Sequence, residues 1–377
     1  MRTLILAVAV AGLFAAARRA EAYPQYQLSR DQTCAGCHLS PAGGGLLSEN
    51  GYSVAETMGQ FTDSSAFMYG VVPMPSWLAV GGDLRSSTGF LHTPDNSPVF
   101  IPMQADVYAN ATFQGFSLHV TVGGRPAQWI SGNGTPGVLD RLWSREHYVM
   151  WQQDPASREG LFVRAGRFMP VFGLRFAEHP DYTRRFGGTQ LYAETYGAAI
   201  DYIQQGWEAH ASGFIEDPLI DPVVHDSGGA AYAEVRLNPR LQLGGELMVT
   251  RSLGNTWVRG GATAKAYLPS FDTLIQAELQ VVHESLASGS GPNQIVGYVM
   301  ASKSFASSFL LDVGLGHFDE NLAISGLDRD AIDVNLHWFL DSHMELVWQN
   351  RVEGLGVGQS RGGPTGAWTL IHAHYRL

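Results

Sequence analysis

The chain has 377 residues, of which 45% are hydrophobic, 11% aromatic and only 16% charged, with 44 glycines and a formal net charge of −11. That balance leaves ample apolar material for a core and excludes a disordered chain; the two cysteines, Cys34 and Cys37, exclude a disulfide-stapled scaffold. The acidic balance argues against nucleic acid as a partner, and a mean hydropathy of −0.05 is too low for a bundle of membrane helices, which leaves a soluble β-rich protein or a transmembrane β-barrel.

The first segment sets the compartment. Arg2 precedes an apolar stretch, Leu4 to Ala17, of the length of a signal-peptide core and too short to span a bilayer as a helix. Ala20-Glu21-Ala22 is a small-x-small cleavage pattern, so residues 1–22 are predicted to be a signal peptide and the mature chain to begin at Tyr23. Removing three cations (Arg2, Arg18, Arg19) and one anion (Glu21) takes the net charge from −11 to −13. No later stretch approaches the uninterrupted apolar run of a transmembrane helix.

Residues 23–76 are irregular in texture. They hold both cysteines, the Gly43-Gly44-Gly45 run and a helix-like stretch, Leu46 to Met58; Pro73 and Pro75 mark the boundary with the more regular region beyond. Cys34-Ala35-Gly36-Cys37-His38 reads C-x-x-C-H. Two thiols at this spacing add across the two haem vinyl groups, and the adjoining histidine sits under the iron as an axial ligand. A redox pair would want a thioredoxin-like βαβ setting, and a zinc site a second ligand pair at similar spacing; neither is present. A plain disulfide would have no use for His38. The motif therefore predicts one covalent haem c held by Cys34 and Cys37, with His38 on the iron. Haem iron in an electron carrier usually takes a second axial ligand. Met58 leads the candidates because its segment can fold back over the haem; Met68, Met74, His92 and a lumenal histidine such as His119 come after it. A segment this short needs cross-links or partners to fold, so it is expected to plug or cap the barrel from the periplasmic side.

From Trp77 to Leu377 the texture becomes regular. In 99–113, Val99, Ile101, Met103, Ala105, Val107, Ala109, Ala111 and Phe113 share one face. In 256–268, Val258, Ala262, Ala264, Ala266 and Leu268 oppose Arg259, Thr263, Lys265 and Tyr267. In 272–281, Ile275, Ala277, Leu279 and Val281 oppose Gln276, Glu278 and Gln280; in 329–340, Ile332, Val334, Leu336 and Trp338 oppose Asp333, Asn335 and His337. Successive strand side chains point to opposite faces, so each run has one apolar and one polar face. The runs are longer than ordinary strands and match the 9–11 residues of a tilted spanning strand. Connectors alternate too. Gln114-Gly115, Asn238-Pro239-Arg240 and Asp341-Ser342-His343 are tight, whereas 173–189, 216–228, 318–328 and 353–364 are long, as periplasmic turns and outer loops are. Sixteen runs begin near 77, 99, 116, 141, 160, 191, 207, 229, 241, 256, 272, 293, 308, 330, 344 and 365. The last, with Thr369, Ile371, Ala373, Tyr375 and Leu377 on one face, ends the chain in mid-pattern, as the assembly strand of outer-membrane proteins does. The expected fold is all-β: a transmembrane antiparallel β-barrel over 77–377 in the bacterial outer membrane, its outer face on lipid.

Weaker signals lie in the loops. The loop after the strand near 160 carries Arg175, Glu178, His179, Asp181, Arg184 and Arg185, which either fold inward or form a solvated outer loop. Glu216, Asp217, Asp221, His225 and Asp226 sit in a second loop, and Asp319, Glu320 and Asp328 in a third. Such groups attract hard cations but lack ligand spacing, and solvated loop acids are the commoner reading.

These residues carry two resemblances. Gly166-Arg167-Phe168-Met169-Pro170-Val171-Phe172-Gly173 resembles the G-R-F-x-P-x-F-G stretch of phosphate-selective-type porins. A signal peptide, one C-x-x-C-H and a barrel, with Arg30-Asp31-Gln32-Thr33 before the motif and Pro41, Leu47 and Gly51 after it, resembles the fused monohaem cytochrome–porin family of bacterial outer membranes. Asn50-Gly51 stands where that family has Phe-Gly, and Leu39 to Gly45 replaces an aromatic, His-containing stretch. The resemblance implies an electron conduit between an extracellular donor or acceptor, such as Fe²⁺ or another metal ion or mineral, and a periplasmic c-type cytochrome. The alternative is a passive porin whose haem segment gates it or docks a periplasmic cytochrome.

Overall fold

The computed structural model describes residues 28, 33–92, 96–124, 142–176, 178, 180–190, 193–216, 227–306, 308–354 and 366–377. The signal-peptide reading of 1–22 lies outside them, as do Arg30, Asp31, Gln32, His179, Asp217, Asp221, His225 and Asp226.

Sixteen strands form one closed ring: β1 (Leu78–Leu91), β2 (Ser97–Phe113), β3 (Phe116–Gly124), β4 (Leu142–Gln152), β5 (Gly160–Phe168), β6 (Thr195–Gln204), β7 (Trp207–Ile215), β8 (Ser227–Asn238), β9 (Leu241–Ser252), β10 (Asn255–Leu268), β11 (Thr273–Leu286), β12 (Gly289–Phe305), β13 (Phe309–Asp319), β14 (Asp328–Phe339), β15 (Met344–Glu353) and β16 (Gly366–Arg376). Each pairs antiparallel with its sequence neighbours, and β16 closes on β1 with Asp83 opposite Arg376 and Leu91 opposite Trp368. Closure removes every sheet edge and sets aside the soluble sandwich. The predicted starts match the observed ones closely. The largest offsets are 191 against Thr195 and 293 against Gly289.

The alternation settles which face is which. Val107, Leu279, Val281, Ile332 and Ile371 point outward and are exposed, while Gln276, Gln280, Asp333, Asn335 and His337 point inward and are buried. Among the largest fully buried side chains are Arg164, Arg167 and Arg351. A water-soluble protein would be built the other way round. An apolar outer belt around a polar interior is the transmembrane barrel, with lipid outside. Among the described residues no helix is long and apolar enough to cross a membrane, and the apolar belt is made by strands. One stretch departs from the simple pattern. Gln104 pairs with Arg85 and Pro102 with Ser86, which leaves Met103 as a bulge, so the face read across 99–113 changes phase there.

The two rims differ as expected. Gln114-Gly115, Gln205-Gly206 and Pro239-Arg240 are among the tight turns at one rim, which by barrel convention is periplasmic. The other rim carries the long connections, although Leu253-Gly254 and 287–288 there are as tight as the periplasmic turns and 92–96 is also short. Among the described residues, two pieces of chain reach into the ring. One is the N-terminal segment, with a single helical turn, α1 (Cys34–Cys37), and the helix α2 (Glu49–Met58); its 3-10 turn at Phe67–Gly70 lies at the rim, Tyr69 beside Asp341 and His343. The other is the β5–β6 connection, which carries the short helix α3 (Tyr182–Phe186).

Candidate functional site

The turn α1 begins where Thr33 accepts a hydrogen bond from the Gly36 amide through Oγ1, 3.1 Å, the usual role of threonine at a helix start. It ends when the His38 amide donates to the Cys34 carbonyl, 3.0 Å. The chain then loops through Gly43, Gly44 and Gly45, all left-handed with φ of 81°, 73° and 59°, a run that only glycine tolerates at no cost. It returns antiparallel, His38 bridging Leu47, with the Leu39 amide donating to the Leu46 carbonyl at 2.9 Å. Ser48 joins the two halves. Its hydroxyl donates to the Gly36 carbonyl (2.6 Å), and the same oxygen caps α2 by accepting from the Gly51 amide (3.1 Å).

Gly51 is required by this packing. A Cβ there would run into the Cys37 carbonyl oxygen. Gly51→Ala is therefore expected to loosen α2 from α1 by about 1–3 kcal/mol. Limited proteolysis of residues 33–65 in the assembled barrel would read it, and wild-type resistance would show that the contact yields freely.

The motif lies within the barrel. Ala35 is fully buried in a cluster with Tyr148, Met150, Phe162, Phe168, Ala199 and Ile203, all inward-facing residues of β4 to β6. Arg158, in the β4–β5 turn, donates from Nε to the Ala35 carbonyl (2.7 Å) and from Nη2 to the carbonyls of His38 and Leu39 (2.8 Å each). From the other side comes Arg175 of the β5–β6 connection. It donates to the Ala42 carbonyl (2.8 Å), approaches Cys34 Sγ (3.4 Å) and pairs with Glu208 of β7 (2.9 Å). The loop that carries Arg175 folds inward. Phe172 packs on Phe214, Ala230 and Met248, Leu174 and Phe176 pack on Tyr298 and Met300, and Tyr182 reaches Val282, Val296 and Phe318.

After α2 the segment reaches the opposite wall. The Gln60 and Phe61 amides donate to the carbonyls of Phe339 and Leu340, and Asp63 accepts from Ser342. This is the β14–β15 turn, at the rim of tight turns, so the segment is seated at that end of the barrel.

The residues present fit a covalent haem. Cys34 and Cys37 are unpaired and stand on one turn. The Gly43-Gly44-Gly45 loop stands beside the motif, a Cβ at Gly43 lying 4.0 Å from the Cys34 Cβ, and Gly44 and Gly45 are exposed. The His38 Nδ1 is buried without a partner at hydrogen-bonding geometry. Burial pushes the His38 imidazole down to about 4, with Arg376 adding to the effect, so the ring is neutral at pH 7 as a metal ligand must be. Burial likewise pushes the Cys34 thiol up to about 11, against the pull of Arg175.

The candidate second ligands are dispersed. Met58 is packed against Leu310, Phe339 and Val54, on the wall of β13 and β14 and about 10 Å along the helix from Gly51. The structure does not bring it to His38. Met68 is exposed in the 3-10 turn, and His92 sits at the long-loop rim, bonded to Asn96 and Thr369. His119, on β3, is buried and stacks on Tyr148 at 4.8 Å, on the same wall that receives Ala35. Sequence reading missed Arg158 altogether, since nothing marks one arginine in a polar turn. Among the described residues no cluster of three or more His, Cys, Asp or Glu residues is placed to hold a metal ion.

No protein-family description and no curated protein matches the chain. Solved structures do. OmpT of Vibrio cholerae, an outer membrane protein, is 14% identical with a TM-score of 0.58, covering 81% of this chain and 100% of its own. An anion-selective porin from Comamonas acidovorans is 13% identical, TM-score 0.56, covering 80% and 99%. OmpF of Salmonella typhi is 8% identical, TM-score 0.59, covering 80% and 97%. The fold is that of the outer-membrane porins. At such identities the likeness concerns the porin fold alone, and the haem motif has to be argued from this chain's own residues.

Proposed function

We propose that this chain is a porin-fold barrel of the bacterial outer membrane whose lumen is given over, at its periplasmic end, to a segment that binds haem c, and that it passes single electrons between an extracellular donor or acceptor and a periplasmic c-type cytochrome. One observation carries the reading: the Cys34–His38 turn is seated among inward-facing barrel residues, with Ala35 fully buried. Cys34 and Cys37 would hold the group through two thioethers, and His38 would supply an axial nitrogen. When bound, haem c supplies a one-electron iron couple. The chain's own residues do the rest. Arg158 fixes the carbonyls around the motif, Arg175 sets a half-buried positive charge beside Cys34, and the barrel wall holds the segment inside an insulating membrane.

A second reading is favoured by the neighbours, which include an anion-selective porin and an outer membrane channel, DcaP of Acinetobacter baumannii. Here the barrel passes solutes and the haem segment gates it or docks a periplasmic cytochrome.

Sealed proteoliposomes separate the two. The purified protein is expected to show a c-type haem spectrum and to carry electrons from external Fe²⁺ to an enclosed acceptor, with no swelling in small sugars. Swelling without electron transfer would leave the channel reading standing and remove the conduit.

A further inference from the structure

Under the inward loop, on the wall of β9 to β11, two glutamates lie close together. Glu246 is on β9 and Glu278 on β11, and between them, on β10, Gly261 stands opposite both Glu246 and Gln280. A Cβ at Gly261 would run into Glu246 Oε1 and crowd the Gln280 Cγ. The absence of a side chain there lets Glu246, Glu278 and Gln280 share one space across β10. The loop roofs that space with two more glycines. A Cβ at Gly173, where φ is +64°, would crowd Glu278 Oε1 and Glu246 Oε2, and one at Gly187 would crowd Gln280 Oε1.

The polar atoms inside this enclosure are unevenly satisfied. Glu278 accepts from the Leu174 amide (2.8 Å) and from Gln280 Nε2. Neither oxygen of Glu246 finds a donor at hydrogen-bonding geometry, and neither does Gln280 Oε1. Yet Glu246 is 8% exposed, Glu278 4% and Gln280 1%. The other buried lumenal acids have cationic partners: Asp201 has Arg164, Glu234 has Lys265, Glu208 has Arg175, and Asp333 has Arg351. No described ion pair includes Glu246 or Glu278. Two buried carboxylates without a counter-charge are costly.

We propose that this enclosure binds a hard divalent cation, Ca²⁺ in particular, through Glu246 Oε1 and Oε2, Glu278 Oε1 and Gln280 Oε1. The donors are all oxygen, two carboxylates and an amide, which suits Ca²⁺; Mg²⁺ usually keeps several waters and is not held by an all-protein cage of this kind. With two carboxylates rather than three or four, affinity belongs in the weak range, on the order of 10⁻⁴–10⁻³ M. The cation ties the loop to the wall, because Leu174 and Gly173 rest on the same carboxylates. Nothing in this depends on the haem.

The test uses full-length protein in detergent, stripped with chelator and titrated with Ca²⁺ by calorimetry, beside Glu246→Gln and Glu278→Gln. These variants keep shape and remove charge, and heat-modifiable migration confirms that they fold. The expected result is a wild-type site weakened at least tenfold in either variant, so outer-loop acids that bind Ca²⁺ are discounted by the comparison. Hydrogen exchange across 171–176 should slow with Ca²⁺ in the wild type only. Calorimetry with no heat in the wild type, or equal affinity in both variants, would overturn the proposal and leave a protonated acid pair in its place.

Discussion

A chain carrying both Cys34→Ala and Cys37→Ala is expected to lose all covalent haem stain while its barrel still migrates as a folded, heat-modifiable species. The expectation rests on how the two parts are held. Haem c attachment needs thiol sulfurs, and the chain contains no cysteine besides these two. The ring needs neither thiol: its pairing runs unbroken from β1 to β16, and the wall contacts of α1 are made by Ala35 and by backbone carbonyls. Haem staining after denaturing electrophoresis, beside an unheated sample, reads both halves at once. Stain that survives the double substitution would remove the haem reading. Loss of the folded band would mean that the segment is needed to build the barrel.

Asp201→Ala is expected to destabilise the barrel by about 3–5 kcal/mol. Asp201, on β6, is fully buried; its Oδ2 accepts from Arg164 Nε at 3.0 Å and its Oδ1 meets His210 Nδ1 at 2.8 Å. Arg164 is itself buried on the neighbouring strand and lies over the Phe168 ring, 4.7 Å from its centroid. Removing the carboxylate leaves a buried guanidinium without the counter-charge it is hydrogen-bonded to. Asp201→Asn keeps a hydrogen-bond acceptor and should cost less. Urea unfolding of the two variants in lipid vesicles would rank them. A loss below about 1 kcal/mol for the alanine variant would mean that the network is hydrated and belongs to the surface class.

Much of the barrel is legible in the sequence because a two-faced strand writes its burial in every second residue. The offsets arise where that signal stops meaning membrane. At β6 the alternating run starts at 191, but Ala193 and Glu194 still precede the strand, which begins at Thr195. At β12 the strand begins at Gly289, because the tight 287–288 turn lets the hairpin extend past the apolar belt. The sequence leaves the β5–β6 connection open between an inward fold and a solvated loop. Phe172, Leu174 and Phe176 alternate like a strand, yet each finds its partner on another wall. The haem motif is legible because its chemistry fixes adjacent residues. What positions it is not, since Arg158, Arg175 and Gly51 act across long sequence separations on backbone atoms. Met58 shows the same limit: type and segment suggest a ligand, and three-dimensional packing places it beside Leu310 and Phe339.

The seam between β1 and β16 bears on how the protein is made. It joins the barrel's first strand to its sixteenth, so the ring cannot close until β16 is in place. Residues 33–65 precede every strand in the chain, and they end up inside that ring. The β1 lip of the seam meets both the segment and the residue after β16: Gly81 has room for the Leu46 side chain but not for a Cβ of its own, and the Leu377 amide donates to the Gly82 carbonyl at 2.8 Å. The barrel is thus shut around a passenger that precedes it in the chain. Any group attached to that passenger must be of a size the closing staves can pass, or must already be aboard.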